Sequence, residues 1–186
     1  QQKITYFLDS QDRYLYGNIE EELGVILKKM QKAWPGYQID WVGEFATKAP
    51  VISKLELLVA PLLPAEKLSG LAGVVITEEK PDEAFEIEYD ERLKITIHTC
   101  PAQDFNNHWC LLTMNAGLYE KLAEMDELGS GEEIEDVLTN AGFEGLPSEL
   151  YDREEIESYP PAYWEDLIEE RDIKGLPVKA LISLRL

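Results

Sequence analysis

The sequence predicts an α+β fold: a mixed β-sheet with helices packed to one side, followed by a small, mostly helical lobe. Period-two alternation of apolar and polar residues marks strands at Tyr37, Ile39 and Trp41, at Phe85, Ile87 and Tyr89, and at Leu93, Ile95 and Ile97. The apolar run of a strand in residues 51–60, through Leu55, Glu56, Leu57, Leu58 and Val59 and bounded by Pro50 and Pro61, suits a strand covered on both faces. Helical spacing governs Ile19, Leu23, Ile26, Leu27, Met30 and Trp34, and after Phe105 it governs Trp109, Leu112, Leu118, Leu122 and Met125. The sheet part is assigned to residues 1–104 and the helical lobe to residues 105–186, with the boundary near Asp104.

Taken in order, Ile4, Tyr6, Phe7 and Leu8 suit either a short strand or an ordered arm lying on the core. Asn18, with Glu21 three residues later, reads as a capping box for the first helix, which stops at Pro35-Gly36. The first strand closes through Trp41, Val42 and Gly43, and the second runs through residues 51–60. A short helix at 65–71 and the apolar Val74, Val75 and Ile76 come next. Asp90 and Glu91 then turn a hairpin with one apolar face. In the lobe, Gly129-Ser130-Gly131 is a loop, and residues 132–141 form an amphipathic helix carrying Ile134, Val137 and Leu138.

Charge narrows the choice of partner. Thirty-seven acidic against seventeen basic residues give a formal net charge of −20, which opposes binding to nucleic acid and to anionic membrane surfaces. Between Glu120 and Asp172 there are nineteen Asp and Glu but only Lys121, Arg153 and Arg171 as cations, so about four-fifths of the excess lies there. That lobe suits a protein partner with a basic surface. Mimicry of nucleic acid in a basic groove is a weaker use of the same charge. The apolar run from Leu55 to Leu63 is broken by Glu56 and Pro61 and falls short of the roughly 20 residues of a spanning helix, so no membrane association is expected. Two cysteines and no opening signal segment point to a reduced, cytoplasmic setting.

His98, Cys100, His108 and Cys110 form two H-x-C pairs that invite a zinc hypothesis. Residues two apart on one strand share a face with little freedom to close a tetrahedron, so a buried thiol beside a solvated imidazole is the simpler reading. A cysteine nucleophile has no accompanying oxyanion-hole signature. Asp82, Glu83, Glu86, Glu88, Asp90 and Glu91 read as the solvated side of a hairpin rather than a cation site. The run of residues 129–138 lacks the ligand spacing of a calcium loop, and Gly129 and Gly131 are too few for a phosphate cradle.

Glu56 is the residue that needs an explanation, because a carboxylate between Leu55 and Leu57 on a buried strand is costly unless it is paired, ligated or turned to a cleft. The surrounding stretch, WVGEFATKAPVISKLELLVAP, together with ITIHTCPAQDF, resembles the palm of the bacterial and archaeal family X DNA polymerases of the nucleotidyltransferase superfamily. The resemblance covers roughly residues 18–175 and implies a nucleotidyltransferase-like palm followed by a nucleotide-binding lobe. It also implies that the chemistry has been removed. Gly43 matches, but Glu44 stands where that family has a phosphate-contacting Ser, and Ala46 and Thr47 where it has basic residues. Lys54, Glu56 and Thr96 occupy the places of the three metal-binding Asp. Of the segment shaping the nucleotide pocket, aligned with Leu111, Leu112, Thr113, Met114 and Asn115, only Thr113 remains. The segment GFEGLPSELYDREEIESY resembles that family's glycine, proline and glutamate stretch beyond the nucleotide-binding lobe, and Tyr163 to Ile168 and Asp172 to Gly175 resemble its exit.

These substitutions predict a stand-alone, catalytically degenerate palm acting as a binding or scaffold protein, with no catalytic residue, no metal and no cofactor. A pairing of Lys54 with Glu56 is expected in place of a metal cage. The alternative is a nucleotidyltransferase or polymerase-related enzyme that keeps nucleotide binding and uses Mg2+ or Mn2+ at an altered site built on Glu56.

Overall fold

The computed structural model describes residues 13–80, 84–124, 128 and 133–160. The expectations for Ile4 to Leu8, Asp82, Glu83, Met125, Gly129 to Gly131 and the exit segment after residue 160 lie outside these residues.

The chain is α+β. After a two-residue strand β1 (Tyr14–Leu15) come helix α1 (Tyr16–Ala33), β2 (Gln38–Val42), β3 (Val51–Ile52), β4 (Leu55–Ala60), the short α2 (Ala65–Ser69), β5 (Val74–Lys80), β6 (Ala84–Tyr89) and β7 (Leu93–Thr99). Helices α3 (Phe105–Thr113), α4 (Ala116–Glu124) and α5 (Ile134–Asn140) complete the regular structure, with 3-10 turns at Ser148–Leu150 and Ile156–Ser158. Five strands form one mixed sheet in the order β2-β4-β7-β6-β5, in which β4 and β7 are parallel and the other neighbours antiparallel. β1 and β3 make a separate antiparallel pair.

Side-chain alternation divides the sheet into two faces. Ile39, Trp41, Leu55, Leu57, Val59, Ile87, Tyr89, Leu93, Ile95 and Ile97 point to one face, where Ile19, Leu23, Ile26 and Met30 of α1 and Leu68 of α2 cover them. Each fully buried Leu or Ile there contributes roughly 1.5–3 kcal/mol. On the opposite face, Val42, Leu58 and Ala60 lie under a second cluster built from Phe105, Trp109, Cys110, Leu118, Leu122, Val137 and Leu138. The lobe helices thus cover only the β2–β4 end of that face. The β7–β6 end carries Lys94, Thr96 and His98 opposite Glu88, Glu86 and Ala84.

Two boundaries differ from the sequence reading. Helix α1 begins at Tyr16, so Asn18 lies inside its first turn and caps nothing. The chain is aimed there by β1 pairing with β3, by the Tyr16 amide donating to the Pro50 carbonyl (3.3 Å) and by stacking of the Tyr16 and Phe45 rings. The single strand expected at residues 51–60 is two, β3 and β4, interrupted at Ser53-Lys54. The interruption has a chemical cause: both of those amides donate to the carboxylate of Glu44 instead of to a neighbouring strand.

The hairpin β6–β7 follows its alternation closely. Asp90 and Glu91 both take positive φ, 48° and 56°, as a turn of type I′ requires, and the Arg92 amide returns to the Tyr89 carbonyl.

Candidate functional site

The open face is organised by the parallel pair β4–β7. Glu56 lies one residue into β4, between β2 and β7, with Val42 as its register partner on one side and Thr96 on the other. Thr96 in turn faces Glu86 of β6. Lys54 directly precedes β4 and lies outside any helix. Ser53, Lys54, Lys94, Thr96, Glu86 and Glu88 line, with Tyr14, a groove of about 400 Å³ over this part of the sheet.

Glu56 does not pair with Lys54. Among the described residues it meets His98, whose Nε2 lies 3.2 Å from Glu56 Oε1, and both side chains are three-quarters or more buried. Parallel register explains the choice: His98 and Thr96 project to the same face of β7, one step either side of the point opposite Leu57, and the imidazole bridges back to Glu56. Lys54 is turned instead toward Glu44 and lies exposed.

Gly43 closes over the second oxygen of the same carboxylate. It adopts φ +63°, which favours glycine, and a Cβ there would stand 2.9 Å from Glu56 Oε2, so the carboxylate would have to shift to admit one. The Gly43 amide donates to Thr113 Oγ1 (3.1 Å), which ties the turn after β2 to the end of α3. Glu44 is the next residue. It accepts from Ser53 Oγ (2.8 Å), the Ser53 amide and the Lys54 amide (3.1 Å). Partial burial pushes this carboxyl up, yet the Ser53 hydroxyl, the two amides and the Lys54 charge together hold it below the usual carboxylate range. Ala46 is part-buried against the lobe cluster, and Thr47 is buried with its hydroxyl donating to the Glu44 carbonyl (3.3 Å).

The remaining candidates are held by the lobe's own structure. Met114 is buried, and its amide donates to the Cys110 carbonyl. Asn115 caps α4: its Oδ1 accepts the Leu118 amide (3.0 Å) while Nδ2 donates to the carbonyls of Arg153 (2.7 Å) and Tyr151 (3.3 Å). Cys100 and Cys110 are buried thiols without a disulfide, and burial pushes the Cys110 thiol up to about 12, far from a reactive thiolate. His108 Nδ1 donates to the Asp104 carbonyl (3.0 Å), so the four H-x-C residues are divided between the open face, the core and a helix. Glu86 pairs with Lys80.

A divalent-metal centre does not fit these residues. Two-metal catalysis requires several converging carboxylates, and here Glu56 is engaged by His98 while Thr96 and Lys54 flank it. Among the described residues no group of three or more His, Cys, Asp and Glu could hold a metal ion. No helix there is long and apolar enough to cross a membrane. The roles of His98 and of Ser53 escape a reading by residue type alone. For His98 the signal lay in the period-two alternation that puts it on the same face as Thr96.

Compared with models of protein families and with curated proteins, the sequence matches none.

Proposed function

We propose that this chain is a palm of the family X polymerase kind that has given up nucleotidyl transfer and works by binding a protein partner. The reading is carried by one observation: Glu56, the sole carboxylate at the three positions where that family places metal ligands, is paired with His98 and flanked by Lys54 and Thr96. A hard divalent cation needs anionic oxygens that these neighbours do not offer. The phosphate-contacting position has become Glu44, whose carboxylate repels phosphate and is already bonded to Ser53 and Lys54. The acidic lobe supplies the binding surface. Its partner is a protein with a basic surface, and the charge of −20 disfavours nucleic acid and anionic membranes in that role.

Calorimetric titration with deoxynucleoside triphosphates in Mg2+ and then Mn2+ tests this reading. No saturable heat is expected from the wild-type protein. Micromolar binding lost on Glu56→Ala would favour an enzyme with an altered metal site.

A further inference from the structure

Strand β5 is an outer edge of the five-stranded sheet: it pairs with β6 alone, and among the described residues no strand extends the ladder beyond it. Val75, Thr77, Glu78 and Glu79 are exposed along it, and Val75, at 60%, is the most exposed of the large apolar side chains among the described residues. An edge of seven residues, with its outward amides and carbonyls unpaired, is a template for another strand unless something guards it. The guard here is charge of one sign. Lys80, the cation of the strand, is paired with Glu86, whereas Glu78 and Glu79 have no salt bridge among the described residues. We propose that β5 takes up an extended segment of a basic protein partner as a sixth strand of the sheet. The proposal rests on the reading of the chain as a binder of basic protein partners, and it places one contact of that partner on the sheet, apart from the lobe.

Register sets what that segment carries. Val75 lies beside Glu88 and Glu78 beside Glu86, on the open face of the sheet, while Ile76 lies beside Ile87 and Glu79 beside Phe85, on the other. The ladder shifts register between Ile76 and Glu78, and there the Thr77 hydroxyl donates to the Glu86 carbonyl (3.0 Å). The edge therefore presents an apolar step, Val75 and Ile76, followed by an acidic step, Glu78 and Glu79. A complementary strand sets two apolar residues against the first and two Lys or Arg against the second. Main-chain hydrogen bonds then supply affinity, and alternate side chains supply specificity. A second copy is a poorer occupant, because each edge carries the same two carboxylates and each chain a net charge of −20.

The test titrates the capped peptide acetyl-Lys-Lys-Thr-Val-Val-amide into the full chain while 15N amide shifts are followed. The resonances of residues 75–79 are expected to move. A strand bound along one edge uses only alternate amides, so two forms of the peptide, N-methylated on one or the other set of alternate residues, should part company. One is expected to lose about tenfold in affinity and the other little. Glu78→Lys combined with Glu79→Lys, both at exposed positions, is expected to weaken the unmodified peptide about tenfold at low ionic strength. Equal affinity of the two methylated forms, or no binding of the unmodified peptide, would overturn the proposal. Shifts confined to the lobe would overturn it too, while leaving the chain a binder of basic partners. Concentration-dependent shifts of residues 75–79 without peptide would assign the edge to a second copy, again against the proposal. Should the double variant not fold, the two methylated forms on the wild-type chain decide alone. Failure of the polymerase-like reading would show instead as nucleotide binding or incorporation, which this titration does not measure.

Discussion

Glu56 of β4 and His98 of β7 are joined at 3.2 Å across the parallel strand pair at the centre of the sheet. The contact converts a carboxylate on an otherwise apolar strand into one half of a part-buried pair. Removing one half leaves the other buried without its partner. His98→Ala is therefore expected to destabilise the protein by about 1–3 kcal/mol, the usual cost of an orphaned buried polar group. Urea unfolding of His98→Ala, Glu56→Gln and the double variant checks this, and the double variant should lose less than the sum of the singles.

Gly43 is the second constraint on Glu56. Gly43→Ala combines positive φ with a Cβ 2.9 Å from Glu56 Oε2, and it should cost about 1–3 kcal/mol. The urea midpoint is expected to fall with little change in slope.

The Glu44 carboxylate ties the turn at residues 43–49 to Ser53 and Lys54. Lys48 pairs with Glu149 at 3.0 Å, but both side chains are about half exposed, so Lys48→Met should change stability by less than about 1 kcal/mol. Glu44→Gln should cost more, and its effect should depend on pH. A carboxyl held below its ordinary range adds stability above the unfolded-state value, about 4.3 for Glu, and loses it as pH falls through the lower folded value. The stability difference between wild type and Glu44→Gln is thus expected to be full at pH 7 and to shrink below about pH 4.3. A difference that grew on acidification would contradict the hydrogen bonding described for Glu44.

Asn115 is the cap of α4 and also holds the carbonyls of Tyr151 and Arg153. Asn115→Ala is expected to cost about 0.5–2 kcal/mol by thermal or urea unfolding, with the loss concentrated in the lobe. Hydrogen exchange should quicken at Leu118 before it quickens in β4.

The strands were legible in the sequence wherever one face is apolar and the other polar. Leu93, Ile95 and Ile97 against Lys94, Thr96 and His98 state their own burial, and the positive-φ turn at Asp90-Glu91 belongs to the same hairpin. The break at Ser53-Lys54 was not legible, because its cause, the Glu44 carboxylate, lies nine residues upstream and acts through space. For the same reason Lys54 looked like the natural partner of Glu56. Spacing along one strand brings the two together, but parallel register with β7 brings His98 closer. Asn18 has the residue type of a helix cap, yet with β1 paired to β3 the cap of α1 is Leu15, three residues earlier. Local pattern carries elements; partners across the sheet depend on register, which no single segment contains.

The most direct measurement of the central claim is primer extension on a gapped DNA template by the purified protein, with Mg2+ and with Mn2+. On the proposed reading no nucleotide incorporation is expected, because that reading puts Lys54 and Thr96 at two metal-ligand positions, and Glu56 is paired with His98. Changing Lys54→Asp, Glu56→Asp and Thr96→Asp together should restore Mn2+ binding without restoring synthesis, since Met114 stays buried and Asn115 stays engaged as the cap of α4. Template-dependent extension by the unmodified protein, abolished by Glu56→Ala, would contradict the loss of nucleotidyl transfer and show that another carboxylate completes a working metal site.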